Sequence, residues 1–268
     1  SCADFFQLGN RRMLLCISHR LGCRYYLGDW KGEQFHPTFH EKMSWVDNSF
    51  FAPESLLDDR GRRIMWAWIF DGPGFKMRTD YGWSGTMSLP RVLSLSSEGG
   101  LLMNPPKEIE LLRYNEIQRT GLLAGDEKGI DVPGVEGNSL EIDLEFSPTE
   151  ARQYGLKVCC SPGGEEETLV YYDAVEKKLK VDTSRSSVSD GPKTLEAGPL
   201  ELKPAESLKL RVFVDKSVVE VFANGRQAVM RRIYPTRPDS TGVRLFASDS
   251  AVKVAALKAW TMAPANPF

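Results

Sequence analysis

Six carboxylates in the N-terminal third, Asp4, Asp29, Asp47, Glu54, Asp71 and Asp80, are the side chains best suited to chemistry. Carboxyl groups brought together by a fold serve as general acid, general base or nucleophile. Asp58 and Asp59 precede Gly61 and read instead as turn residues that bond their own backbone. His19, His36 and His40 do not make a metal set. His36 and His40 flank Pro37, share no helix face, and lack the Glu partner of a zinc motif. No Ser sits in a nucleophile elbow, and the glycines read as turn residues rather than a phosphate loop. Neither a metal nor a cofactor is expected.

The chain has 268 residues, with 34 Lys and Arg against 36 Asp and Glu, a net charge of −2. No basic field is present to draw nucleic acid or anionic lipid. The longest wholly apolar run, Ile64 to Phe70, is far short of the ~20 residues that span a bilayer. Five cysteines, Cys2, Cys16, Cys23, Cys159 and Cys160, are unevenly spread and suggest no disulfide framework. Reduced thiols lean towards a cytoplasmic setting. The sequence shows no targeting segment, and its Ser start fits Met removal, an added residue or a shortened chain.

These groups must be positioned by strands, because helical periodicity is nearly absent and short alternating runs fill the chain. An all-β fold is expected. Before residue 105 the runs fall into two sets of four. The first is Phe5 to Leu8, Met13 to Ser18, Arg24 to Leu27 and Glu33 to Phe35; the second is Phe50 to Leu57, Ile64 to Phe70, Gly85 to Leu89 and Val92 to Leu95. Phe5-Phe6 followed by Gly9-Asn10-Arg11-Arg12 parallels Phe50-Phe51 followed by Asp59-Arg60-Gly61-Arg62-Arg63. Each set reads as one propeller blade, and two blades leave a propeller open.

Residues 105–113 read as a linker with a short helical turn, and residues 114–268 as a second all-β region. Leu140, Ile142, Leu144 and Phe146 alternate with Glu141, Asp143 and Glu145, and Leu208, Leu210, Val212 and Val214 alternate with Lys209, Arg211 and Phe213. Asn224-Gly225 is the strongest hairpin signal in the chain. About nine strands are expected there, enough for a two-sheet sandwich.

Four segments taken together resemble family 32 glycoside hydrolases, the invertase and β-fructosidase group. They are Ser1-Cys2-Ala3-Asp4-Phe5-Phe6, Phe50-Phe51-Ala52-Pro53-Glu54, Trp83 to Arg91 and Leu210 to Tyr234. Leu179 to Ser186 is similar to a further segment of that family's C-terminal sandwich. The resemblance implies an incomplete five-bladed propeller, about two blades over residues 1–104, followed by a sandwich. It places the family's acid/base Glu at Ser1, and its nucleophilic and transition-state-stabilising Asp residues N-terminal to that point. A serine hydroxyl cannot deliver a proton as a carboxylic acid of raised pKa does. Losing a positioned general acid costs ~10²–10⁴-fold. The chain by itself is therefore expected to be inactive unless another chain completes it.

The resemblance also implies a substrate-binding set of Cys2, Asp4, Asp47, Phe50, Phe51 and Trp83. Asp4 and Asp47 read as either structural or sugar-contacting. Phe51 lacks the hydroxyl of the Phe-Tyr pair it matches, and Ala3 departs from the usual Pro. Trp83 suits the flat face of a sugar or a core position, whereas Trp66 and Trp68 read as core. The expected ligand is a fructose-containing carbohydrate, with a lectin-like, non-catalytic carbohydrate-binding module as the alternative. Because Ile64 to Phe70 is apolar on both faces, residues 1–104 are expected to pair with an N-terminal propeller chain or with a second copy.

Overall fold

The computed structural model describes residues 1–71, 82–189 and 193–266. The chain is all-β and divides into two compact units, Ser1–Pro106 and Lys107–Phe268.

The first unit holds two antiparallel sheets. One is a meander of β1 (Asp4–Leu8), β2 (Arg11–Ser18), β3 (Gly22–Lys31) and β4 (Gln34–Lys42). Its buried face carries Phe6, Leu8, Met13, Leu15, Ile17 and Leu27 at the period-two spacing of strands. Strand β4 runs further than expected, through Pro37, which an edge strand tolerates because its outer amides have no partner to lose. The register shifts there. Gly28 meets the bulged chain so closely that a Cβ would lie 2.2 Å from the His36 carbonyl oxygen.

The other sheet runs β5 (Phe50–Leu57), β6 (Arg63–Ile69), β8 (Arg91–Leu95) and β9 (Leu101–Asn104), with β7 (Thr86–Met87) also on β6. Two expectations need correction here. Gly85 to Leu89 is not a full strand: only Thr86–Met87 pairs, with Trp68 and Ile69, while β8 pairs with Arg63 to Met65. They are two pieces of one row beside β6, interrupted before Pro90, which has no N–H to donate. The fourth strand of the sheet is Leu101–Asn104, hidden in sequence between a Gly99-Gly100 turn and Pro105. Strand β6 is also less two-sided than expected. Met65, Ala67 and Ile69 are fully buried, but Trp66 and Trp68 on the other side are half-buried.

In the second unit a 3-10 turn over Lys107–Leu112 leads into two further sheets. One runs β10 (Arg113–Arg119), β22 (Val252–Met262), β13 (Ser139–Phe146), β18 (Leu208–Asp215), β19 (Val218–Ala223) and β20 (Gln227–Arg232), with β11 (Leu123–Ala124) also on β22. The other runs β12 (Ile130–Glu136), β21 (Gly242–Ala247), β14 (Gln153–Cys160), β15 (Thr168–Asp173), β16 (Lys178–Asp182) and β17 (Leu195–Pro199). The two sheets touch through Phe146 against Tyr154, ring centroids 5.4 Å apart. They touch again through the buried Arg231–Glu196 ion pair at 3.0 Å. Asn224 and Gly225 both have positive φ, 50° and 65°, and turn β19 into β20 as that dipeptide favours. The nine expected strands omitted β10, β11, β12 and β17, whose sequences show little apolar alternation; β12 buries only Val132 and Val135.

Buried carboxylates fasten this unit. Glu141, with no exposed surface, accepts two bonds from Arg113 at 2.7 and 2.6 Å and another from Arg211. Glu166, equally buried, accepts from the Ser240 hydroxyl at 2.6 Å and from the Thr236 amide at 2.9 Å and hydroxyl at 2.7 Å. It also accepts from the Val188 amide at 2.9 Å. Burial alone raises a carboxyl pKa, but these donors outweigh it and hold Glu166 down at about 2, against an ordinary 4.5. At ~1.4 kcal/mol per pKa unit the difference amounts to about 3 kcal/mol. The group is ionised in the folded state above pH 4.5, where its contribution is complete. It is lost as pH falls from there towards 2. Chemical unfolding as a function of pH should show this acid limb, and Glu166→Gln should flatten it while lowering stability at pH 7 by about 2–3 kcal/mol. An unchanged acid limb in the variant would show that Glu166 does not carry it.

Candidate active-site region

Two bulges at equivalent places shape one end of the first unit. Ser1 exchanges both backbone bonds with Ile17, at 2.9 and 3.0 Å, while Asp4 pairs with Leu15. Cys2 and Ala3 therefore face the single residue Cys16, and Cys2 takes the left-handed conformation with φ 47°. In β5, Phe51 pairs with Trp68 and Glu54 with Trp66, so Ala52 and Pro53 face Ala67 alone, and Ala52 has φ 46°. A left-handed residue without glycine's freedom costs about 1–2 kcal/mol, and bulges of this kind re-aim neighbouring side chains. The bulges also correct the expected echo between the two sets. Phe50-Phe51 precede their bulge and Phe5-Phe6 follow theirs, so the pairs sit at different levels; the true counterpart of Asp4 is Glu54.

Around Ser1 the bulge gathers a small cluster. The Ser1 hydroxyl lies 3.3 Å from His19 Nε2. The Asn48 amide donates to the His19 carbonyl oxygen, holding the β2–β3 turn against the segment that enters β5. The His19 ring stands edge-on to Phe51 at 5.3 Å, Phe51 packs on Phe70 at 4.9 Å, and Phe70 on Trp68 at 4.5 Å. Ser1 and Phe51, 50 positions apart in sequence, are thus joined through one histidine. Sequence reasoning weighed His19 only as a metal ligand and did not consider Asn48. Only the pairing of strands brings either to Ser1, and no local spacing announces it.

The other expected site residues divide between this cluster and the fold. Asp4 is committed to the framework: its Oδ2 accepts from the Ser55 amide at 3.1 Å and from the Ser55 hydroxyl, tying β1 to β5. Asp47 accepts from the Ser49 amide at 2.8 Å in the turn that delivers Phe50. Phe50 is fully buried with the Arg91 guanidinium 4.2 Å above its ring, so it supports rather than lines an open site. Trp83 is 54% exposed and so is not a core residue. Buried Asp71 places it by accepting from the Ser84 hydroxyl at 2.7 Å and the Gly85 amide at 3.0 Å. Gly85 lies flat on Trp68, where a Cβ would stand 1.8 Å from the indole nitrogen. Cys2 is half-buried at its bulge. Asp29 pairs with Lys31 at 3.0 Å on the surface, far along β3, and Asp80 lies outside the described residues. Among the described residues no cluster of His, Cys, Asp and Glu is arranged to hold a metal.

Comparison with known proteins agrees along the chain. A sucrose-6-phosphate hydrolase from Zymomonas mobilis is 29% identical over 281 residues, covering 99% of this chain and 54% of the relative. A levanase from Bacillus subtilis is 32% identical over 92% of this chain and 39% of its own length. The chain therefore spans about half the length of the curated relatives it matches. A solved fructan 1-exohydrolase IIa from Cichorium intybus superposes with a TM-score of 0.87 at 20% identity, over 99% of this chain and 62% of that one. The family model for the glycosyl hydrolases family 32 N-terminal domain matches residues 1–106, and the one for the family's C-terminal region matches residues 108–261. With both of its regions found in order, the chain belongs to glycosyl hydrolase family 32.

Proposed function

We propose that the chain is part of an enzyme that cleaves the β-fructosidic bonds of sucrose or fructans with retention, and that residues 1–268 supply one wall of its site. Residues 1–104 are two blades of an incomplete five-bladed propeller, 105–113 the linker and 114–268 a sandwich. The observation that carries the reading is the ordered match of both family regions. The relatives' names, sucrose-6-phosphate hydrolase, levanase and fructan exohydrolase, supply the substrate class. The cluster at Ser1 fits that role. Trp83 offers a flat exposed ring, and Ser1, His19 and Asn48 are polar groups grouped beside the aromatic chain from Phe51 to Trp68.

Retaining glycosidases need two carboxyl groups ~5–5.5 Å apart. The acids nearest this cluster have structural duties: Asp4 to Ser55, Asp47 to Ser49, Asp71 to Ser84 and Gly85. Ser1, at the acid/base position, carries a hydroxyl. Purified residues 1–268 should therefore release no fructose from sucrose or inulin above a heat-killed control. Steady turnover would overturn the assignment of the reacting carboxylates to sequence outside these residues. Saturable inulin binding without turnover, lost in Trp83→Ala, would instead support a lectin-like role.

The first sheet also presents an open aromatic face. Phe5 is 42% and Trp30 50% exposed, Phe5 meets Trp30 at 5.6 Å and Phe35 at 5.2 Å, and Leu14 and Tyr26 lie half-buried beside them. An apolar face of this kind on a soluble protein calls for a cover. Residues 1–104 are accordingly expected to associate, with an N-terminal propeller part of the enzyme or with another copy. Light scattering at low micromolar concentration should find species larger than the 30.0 kDa chain, and a monodisperse monomer would refute the expectation.

A further inference from the structure

Asp4 sits two residues after the left-handed residue of its bulge and accepts the amide and hydroxyl of Ser55, so it latches the first sheet to the second. Glu54 sits two residues after the left-handed Ala52 of the matching bulge. It is exposed and has no hydrogen-bond partner among the described residues. Strand alternation decides where it points. Ser55, Met65, Ala67 and Ile69 share the side that meets the first sheet; Phe51, Glu54, Leu56, Ile64, Trp66, Trp68 and Met87 share the other. That other side is apolar and partly open: Leu56 is 48% and Met87 61% exposed and both tryptophans are half-buried, while Phe51 and Ile64 are buried. Glu54 and its apolar neighbours repeat the arrangement of Asp4 on the latch-bearing side of the first sheet.

Resting on the propeller reading above, we propose that Glu54 is the latch for a third sheet of the same construction, whose first strand offers a Ser or Thr at the register of Ser55. The carboxylate accepts that residue's amide and hydroxyl, while Leu56, Trp66, Trp68 and Met87 take its apolar face. A second copy of this chain fits poorly. Its own first strand has Phe5 at the register of Ser55, which brings a ring and no hydroxyl to the carboxylate. The partner is instead a sheet from the half of the family enzyme that this chain does not span.

The test co-expresses the chain with the part of the Zymomonas mobilis sucrose-6-phosphate hydrolase that its match leaves uncovered, so that the two fold together. The dissociation constant of the isolated complex is then read by sedimentation. Losing a hydrogen bond to a charged acceptor in a covered interface should weaken the Glu54→Ala complex at least about tenfold. Glu54→Gln, which keeps an acceptor oxygen, should lose less, and Asp59→Ala on the neighbouring exposed turn should change nothing. Equal affinity for wild type and Glu54→Ala would overturn the latch while leaving the propeller reading intact. No complex even with wild type would overturn the choice of partner.

Discussion

The site end of the first unit depends on two non-glycine residues held in the left-handed conformation, Cys2 and Ala52. Each inserts one extra residue into the first strand of its sheet. Each thereby changes which side chains reach the end of the sheet and which reach the neighbouring sheet. The strain of ~1–2 kcal/mol per residue persists only where surrounding contacts over-determine it. At Cys2 those contacts are the paired bonds between Ser1 and Ile17 on one side and Asp4 to Ser55 on the other. At Ala52 they are the buried Phe50 and Phe51 before it and buried Pro53 after it. Without the bulges Ser1 would not meet His19, nor would Asp4 reach a second sheet.

The second unit solves a different problem. Its sheets bury charged groups, and it stabilises them by pairing each carboxylate with several donors. Glu141 lies between two arginines, one of which stacks 3.9 Å over Trp260, and Lys157 and Arg185 share Glu167. Removing one partner from such a group leaves a buried charge uncompensated, which costs more than the bond contributes. The segment Asp182 to Ser186 belongs to this scheme: Asp182 accepts from the Ser184 amide, Arg185 reaches Glu167, and Ser186 shares a hydrogen bond with Thr168. These contacts tie the segment into the framework of its sheet.

Strand identity was legible in the sequence wherever one face is buried and the other wet, as in β13 and β18. It was equally legible where turn chemistry is decisive, as at Asn224-Gly225. Strands β10 and β12 were not, because their burial is too irregular to leave a period; β17 buries Glu196 and Gly198 rather than apolar residues, and β9 is only four residues long between Gly99-Gly100 and Pro105. The candidate site was half legible. Phe51, Trp83 and Ser1 came from motif resemblance, but His19 and Asn48 gain their meaning from pairing across strands, which spacing does not encode. Asp4 stayed open between a structural and a sugar-contacting role, and Phe50 was placed with the site, because an acid and an aromatic beside a motif look alike whether they face solvent or framework. Only the hydrogen bonds to Ser55, and the guanidinium over Phe50, distinguish the two.

Strand β4 is the outer edge of its sheet, and open edges are where chains recruit one another into fibrillar aggregates. Pro37 removes a donor from that edge, and the bulge against Gly28 bends it away from the straight register an incoming strand needs. Exposed His36 and His40 and charged Lys31, Glu33 and Glu41 add polar groups along the same border. The margin of the first sheet is thus a poor template for lateral strand addition, even though Phe5 and Trp30 on its face are exposed.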